Sequence, residues 1–178
     1  MFHAKEYVKA ESLEQAYELN QKRSNVLAGG MMWLKMSSGN RNTVIDLSGL
    51  GLDQIEETED EFRIGCMCSL RQLELHKGLN QYFDGAFREC TRWIVGTQFR
   101  NSATVGGSVF GRFGFSDILT CMMVLDSYVE LYKGGTVSLE EFAKMKYSRD
   151  ILVRIIIKKD GRKAAYAVSY THLTLPTT

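Results

Sequence analysis

The segment Gln98–Asp117, QFRNSATVGGSVFGRFGFSD, restricts this chain more than any other. It places Gly106, Gly107, Gly111 and Gly114 within nine positions, then opens an apolar helical run, ILTCMMVLD. Glycine lets the backbone approach another group closely and adopt positive φ at little steric cost. Four glycines ahead of a helix start suit backbone N–H groups aimed at an anion or a flat polar ligand. They suit equally a bend that only reverses the chain. A second glycine pair far upstream, within VLAGGMMW (Val26–Trp33), favours the ligand reading.

A chain of 178 residues buries one sizeable core, in one domain or two small lobes. Its 44% hydrophobic and 24% charged residues are ordinary for a soluble globular protein. A formal net charge of +1 gives no reason to expect nucleic acid or an anionic membrane surface as partner. The apolar runs are far short of a membrane span, and MFHAKEYVKA carries no apolar signal region, so a cytoplasmic protein is expected. Cys66, Cys68, Cys90 and Cys121 lack the paired spacings of a zinc or iron–sulfur site and read as buried free thiols. His3, His76 and His172 are too scattered to argue a metal site.

Along the chain, Ser12-Leu-Glu-Gln15 is a capping-box pattern, and the helix it starts should end near Arg23–Asn25. Val26–Ala28 reads as a short buried strand stopped by Gly29-Gly30. MMWLKM then resumes helix-like, and GNRN reads as a loop before the strand Thr43–Leu47. Ile55–Glu57 and Glu61–Ile64 pair as a hairpin around Glu59-Asp60, and the acidic run EETEDE reads as a solvated turn. Ser69-Leu-Arg-Gln72 starts a second helix, and another is expected from about Phe83 to Ile94. After the glycine-rich segment come a helix Asp117–Leu125, capped by Asp117 or Ser116, and a strand Ser127–Tyr132. A turn at Gly134-Gly135 leads into Thr136–Leu139, and Glu140–Lys144 is a short helix. Ile151–Ile157 is the strongest strand, and Lys159–Arg162 signals a hairpin into Ala165-Tyr166. The tail from Val168 to Thr178 shifts abruptly toward Thr and Leu, reads as non-native, and is given no function.

Two ordered motifs carry a resemblance. VLAGGMMWLKM (Val26–Met36) is similar to a strand–glycine–glycine–helix loop under the FAD pyrophosphate. RWIVGTQFRNSATVGGSVFGRFGFSD (Arg92–Asp117) resembles the pattern R-W-x-x-G-x-Q-x-x-x-x-A-[ST]-[VI]-G-G-N followed by an Asp that opens a helix. Both belong to the FAD-binding subunit or domain of the molybdenum hydroxylases, such as xanthine dehydrogenase and the carbon monoxide dehydrogenase medium subunit. The resemblance runs from about residue 1 to Tyr166. It implies an α+β, two-lobed FAD-binding fold of the p-cresol methylhydroxylase and vanillyl-alcohol oxidase type, with lobes at residues 1–52 and 53–167. No G-x-G-x-x-G follows a strand, so a Rossmann fold is not expected. A further C-terminal lobe of that fold, beyond about Tyr166, is missing in this reading, which implies a truncated chain, weaker FAD binding and an uncovered apolar face.

The resemblance also implies the site. Val26, Leu27, Ala28, Gly29, Gly30, Met31, Met32 and Trp33 would form the first loop, with the amides of Ala28–Met32 facing the pyrophosphate at a helix N-terminus. Met31 and Met32 stand where the family more often has Thr and an acidic residue. Thr104, Val105, Gly106, Gly107 and Ser108 would wrap the pyrophosphate and ribityl chain through amides and the two hydroxyls, Ser108 replacing the usual Asn. Asp117 would take ribityl hydroxyls, and Ile94 aligns with a position that packs on the isoalloxazine ring in some relatives. No acid–base catalyst is implied, because the redox chemistry belongs to the flavin. The implied role is electron transfer. A molybdopterin-binding large subunit oxidises substrate, a [2Fe-2S] small subunit relays electrons, and the FAD hands them to NAD or another acceptor. Two alternatives stand beside it: a flavin-free interaction module on the same fold, and a flavoenzyme like UDP-N-acetylenolpyruvoylglucosamine reductase.

Overall fold

The computed structural model describes residues 2–167, so the suspect tail lies outside the described residues. Its first sheet starts with a strand that periodicity does not announce, β1 (Phe2–Lys9). β1 is exposed along most of its length, so neither face needs an apolar row and no alternation is written into it. It pairs in parallel with β3 (Gly39–Asp46), which pairs in parallel with β2 (Val26–Ala28), giving the order β1-β3-β2. GNRN, expected as a loop, is therefore the first half of β3. That half runs beside β1 alone, at the solvated end of the sheet, where polar side chains are tolerated.

Helix α1 (Leu13–Asn20) is capped by Ser12, whose hydroxyl accepts from the Gln15 amide at 3.1 Å. It stops short of Arg23, and Asn25 Nδ2 donates to the Leu19 carbonyl at 2.9 Å. The expected MMWLKM helix is reduced to one 3-10 turn at Leu34–Met36, because Met31 adopts a left-handed φ of 58° just before it.

The second sheet is antiparallel. Its strands are β4 (Ile55–Glu57), β5 (Glu61–Gly65), β6 (Ser127–Leu131), β7 (Gly135–Ser138) and β8 (Leu152–Lys158), in the order β4-β5-β8-β6-β7. The near-continuous apolar run of β8 fits its central place. Packed with it are α2 (Leu70–Leu75), α3 (Lys77–Tyr82), α4 (Ala86–Arg92), α5 (Thr97–Ser102), α6 (Val105–Phe110), α7 (Asp117–Met123) and α8 (Leu139–Lys144). The helix expected from Phe83 to Ile94 begins only at Ala86, since Asp84 and Gly85 both take positive φ, 50° and 80°. Phe62, Phe83 and Phe87 form a chain of rings with centroids 5.9 and 5.6 Å apart in the core. Each such side chain contributes roughly 1.5–3 kcal/mol by leaving water. All four cysteines are buried and free, and burial pushes the Cys66 and Cys68 thiols up to about 12.

Arg149 makes the most hydrogen bonds between the two halves of the fold. Arg149, just before β8, donates to the carbonyls of Asn20, Lys22 (3.0 Å) and Asn25 (2.9 Å), on the run between α1 and β2. Asn20 Nδ2 returns a bond to the Arg149 carbonyl at 2.8 Å. Beside it Tyr17 meets Tyr132 at 5.6 Å. The Lys159–Arg162 turn forms, with Gly161 at φ 85°, but no second strand follows among the described residues. Tyr166 instead lies on α7, where its hydroxyl donates to the Asp117 carboxylate.

Candidate functional site

The two glycine segments meet. A Cβ on Gly30 would stand 1.6 Å from the Ser102 carbonyl oxygen, and one on Gly29 would stand 2.6 Å from Thr104 Oγ1. Only a residue without a side chain allows the turn after β2 to lie this close to the turn between α5 and α6.

Along this seam runs a cleft of about 300 Å³. One wall is Leu27, Gly29, Gly30, Met31, Met32 and Trp33, and the other is Thr104, Gly107, Ser108, Asp117 and Ile94. Behind it a smaller cavity of about 130 Å³ is lined by Ala28 and Gly106 with Cys66, Met67 and Leu47. Val26 and Val105 line neither: Val26 sits in the sheet opposite Val44, and Val105 is fully buried. Residues that the sequence reading did not assign to the site complete the cleft, notably Leu70, Val95, Phe99, Phe113, Phe115 and Ser116, the last named there only as a helix cap. For Phe113 and Phe115 the one signal was the aromatic spacing in FGRFGF, which local pattern alone does not distinguish from core.

The amides of the two segments behave differently. Among the described residues, no hydrogen bond is donated by the amides of Gly29, Gly30, Met31 or Met32. In the second segment Val105 N donates to the Cys68 carbonyl and Gly106 N to the Cys66 carbonyl, each at 2.8 Å. Gly107 N donates to Thr104 Oγ1 at 3.2 Å, Ser108 N to the Thr104 carbonyl at 3.1 Å, and the Ser108 hydroxyl to that same carbonyl at 3.1 Å. The expected helix N-terminus behind Gly29-Gly30 is absent, so any anion there meets bare amides without the added field of an α-helix.

Ser116 is the cap of α7: its Oγ accepts from Leu119 N at 3.2 Å and donates to the Ser108 carbonyl at 2.8 Å. That frees the Asp117 carboxylate, which accepts from Tyr166. Burial, then the bond to Asp117, raises the Tyr166 phenol above its ordinary value. Ile94 is held at the rim by Arg100, whose Nη1 donates to the Ile94 carbonyl at 3.2 Å and whose Nε pairs with Glu74 at 2.8 Å. Arg100 and Glu74 are both buried, and Arg71 takes the other Glu74 oxygen at 2.7 Å. Burial alone would raise the Glu74 carboxyl, but the bonds from Arg100 and Arg71 outweigh it and hold the group below the usual carboxylate value. Val95, next in the rim, is forced to a left-handed φ of 51°, a conformation that costs a β-branched residue strain.

Among the described residues, no side chain lining the cleft is cationic. What it offers is unspent amides flanked by apolar surface, which fits a diphosphate joining two flat ring systems. Residues 2–159 match the family described as "FAD binding domain in molybdopterin dehydrogenase". The chain belongs to that family. Among curated proteins, the uncharacterized protein YgfM of Escherichia coli K12 is 26% identical over 164 residues, 90% of this chain and 61% of its own. The 6-hydroxypseudooxynicotine dehydrogenase complex subunit alpha of Paenarthrobacter nicotinovorans is 26% identical over 131 residues, covering 70% of this chain and 44% of that subunit.

Among solved structures, a chain of carbon monoxide dehydrogenase from Hydrogenophaga pseudoflava superimposes with a TM-score of 0.74 at 22% identity, over 86% of this chain and 58% of its own. A chain of quinoline 2-oxidoreductase from Pseudomonas putida 86 gives 0.74 at 17% identity, over 88% and 58%. These likenesses show the two-lobed fold of the FAD binding domain. The chain spans about three fifths of the length of the first of these relatives.

Proposed function

We propose that this chain is the FAD-binding, electron-transfer component of a molybdopterin-dependent dehydrogenase of the xanthine dehydrogenase-like kind, acting in the cytoplasm. Its partners in this reading are a molybdopterin-binding large subunit and a [2Fe-2S] small subunit, with NAD or another acceptor taking the electrons. The observation that carries the reading is the row of unspent amides from Gly29 to Met32, pressed against Thr104 in a cleft that no cationic side chain among the described residues lines.

When bound, the flavin supplies the redox chemistry. The chain's own residues bind and orient. Gly29, Gly30, Met31 and Met32 give amides to the diphosphate, and Thr104, Gly107 and Ser108 form the opposite wall. Asp117 accepts hydroxyls of the ribityl chain in exchange for Tyr166, and Ile94 packs against the ring edge under the control of Arg100. Leu27 and Trp33 keep water off the seam. Val26, Ala28, Val105 and Gly106 support these groups from behind. We place the lobe boundary at residue 52, between the parallel and the antiparallel sheet.

The test is direct. Titrating the purified chain with FAD should give a saturable quench of flavin fluorescence and a bound visible spectrum, and NADH should bleach it if NAD is the physiological acceptor. Bound flavin that NADH leaves oxidised moves the acceptor assignment elsewhere. A folded chain, by circular dichroism, that takes up no flavin at saturating FAD overturns the proposal and leaves the flavin-free interaction module.

A further inference from the structure

Three aromatic side chains span the mouth of the cleft. Trp33 comes from the turn after Gly30, on the β2 side, and is 63% exposed. Phe113 and Phe115 come from the loop between α6 and α7 and are 45% and 68% exposed. Phe115 stacks on Phe113 with centroids 5.2 Å apart and planes 14° from parallel, and it meets Trp33 at 6.0 Å and 54°. Core aromatics in this protein are closed off from solvent; these three are not.

The loop that carries the two phenylalanines is anchored at both ends. Arg112 Nη1 donates to the Met145 carbonyl at 2.6 Å, with its guanidinium 4.1 Å from the Phe142 ring centroid. At the other end Ser116 Oγ donates to the Ser108 carbonyl at 2.8 Å. The Phe113 ring lies over Gly111, where an added Cβ would meet it at 2.4 Å. The backbone is thus set, and both rings line the cleft with part of their surface left exposed.

We infer that the Trp33–Phe115–Phe113 bridge is a stacking site for a flat heteroaromatic ring carried by the ligand. The inference rests on the dinucleotide reading above and deepens it. Rings already held in place lose little freedom on stacking, and every aromatic base offers a π-face to them. Two rings of a flavin dinucleotide have this chemistry, the adenine and the isoalloxazine, and the experiment separates them.

Phe115→Leu and Trp33→Leu, both at exposed positions, are compared with the unaltered chain by calorimetric titration with FAD, ADP and FMN, and the fold is checked by circular dichroism. FAD binding should weaken about tenfold in each variant. Loss confined to FAD and ADP identifies the adenine as the stacked ring; loss confined to FAD and FMN identifies the isoalloxazine. Affinities within about twofold of the unaltered chain for all three ligands overturn the stacking site while leaving the dinucleotide reading intact. An equal loss for ADP and FMN marks a general distortion of the cleft and also overturns it. If the unaltered chain binds none of the three, the dinucleotide reading itself fails and the stacking site goes with it.

Discussion

Gly29-Gly30 and Gly106-Gly107 look alike in the sequence and do opposite work in the fold. The first pair sits in an open turn whose amides are unspent, followed by a residue forced to positive φ. The second pair lies inside α6, its amides bonded to Cys66 and Thr104, its backbone jammed against the loop after β5. A Cβ on Gly106 would come within 2.6 Å of the Cys66 carbonyl oxygen and 2.7 Å of its Cβ. One pair therefore leaves its amides unspent along the cleft, and the other brings two parts of the chain together so that the first has a wall to face.

The contrast can be broken by substitution. The largest effect is expected from Gly30→Ala, because its new Cβ would strike the Ser102 carbonyl oxygen at 1.6 Å and the turn must move off the Ser102-Ala103 backbone. FAD affinity should fall by about a hundredfold or more, since several main-chain bonds lose register together. An unchanged flavin titration would show that the seam is not the diphosphate site.

Arg100→Ala removes one partner of a buried ion pair and should cost about 3–5 kcal/mol in chemical denaturation, toward the low end because Arg71 still pairs with Glu74. Gly106→Ala should cost about 1–3 kcal/mol by overpacking, with flavin affinity preserved in the fraction that folds. If that variant keeps its stability and loses flavin, the roles of the two pairs are reversed from those described.

Acid adds a milder test of the rigid side. The Glu74 carboxyl is held below its unfolded value, so its contribution to stability is present above about pH 4.5 and disappears as pH falls through the depressed value. Unfolding free energy measured from pH 5 to pH 3 should fall less steeply in Glu74→Gln, although that variant starts out less stable. The smallest effect is expected from Met31→Gly, which relieves the left-handed backbone and should raise stability by about 1 kcal/mol with flavin affinity within about threefold. A large loss of affinity there would mean that the methionine side chain, and not its amide, holds the ligand.

How far local sequence reached can be seen at particular residues. Ser12 and Ser69 cap helices as their patterns imply, and Ile155 and Ile157 mark the central strand, because capping and apolar burial are written within a few positions. β1 and the first half of β3 were missed because a strand that buries no face leaves no alternation to read. The hairpin expected after Gly161 was wrong for a related reason: a turn signal says that the chain bends, and Tyr166 found its partner on α7 instead of on β8.

What the amino-acid order determined by itself was where the backbone can go unhindered: both glycine pairs, the capped helices and the apolar strands follow from local sterics and hydrophobic pattern. Only the tertiary structure decided which glycine amides remain free, because an amide is spent or spare according to the carbonyl brought to it. Cys66 supplies such a carbonyl to Gly106, and the Thr104 hydroxyl takes the Gly107 amide. Arg149 ties the chain leading into the first pair to β8 from more than a hundred positions away, and no carbonyl among the described residues reaches the Gly29–Met32 amides.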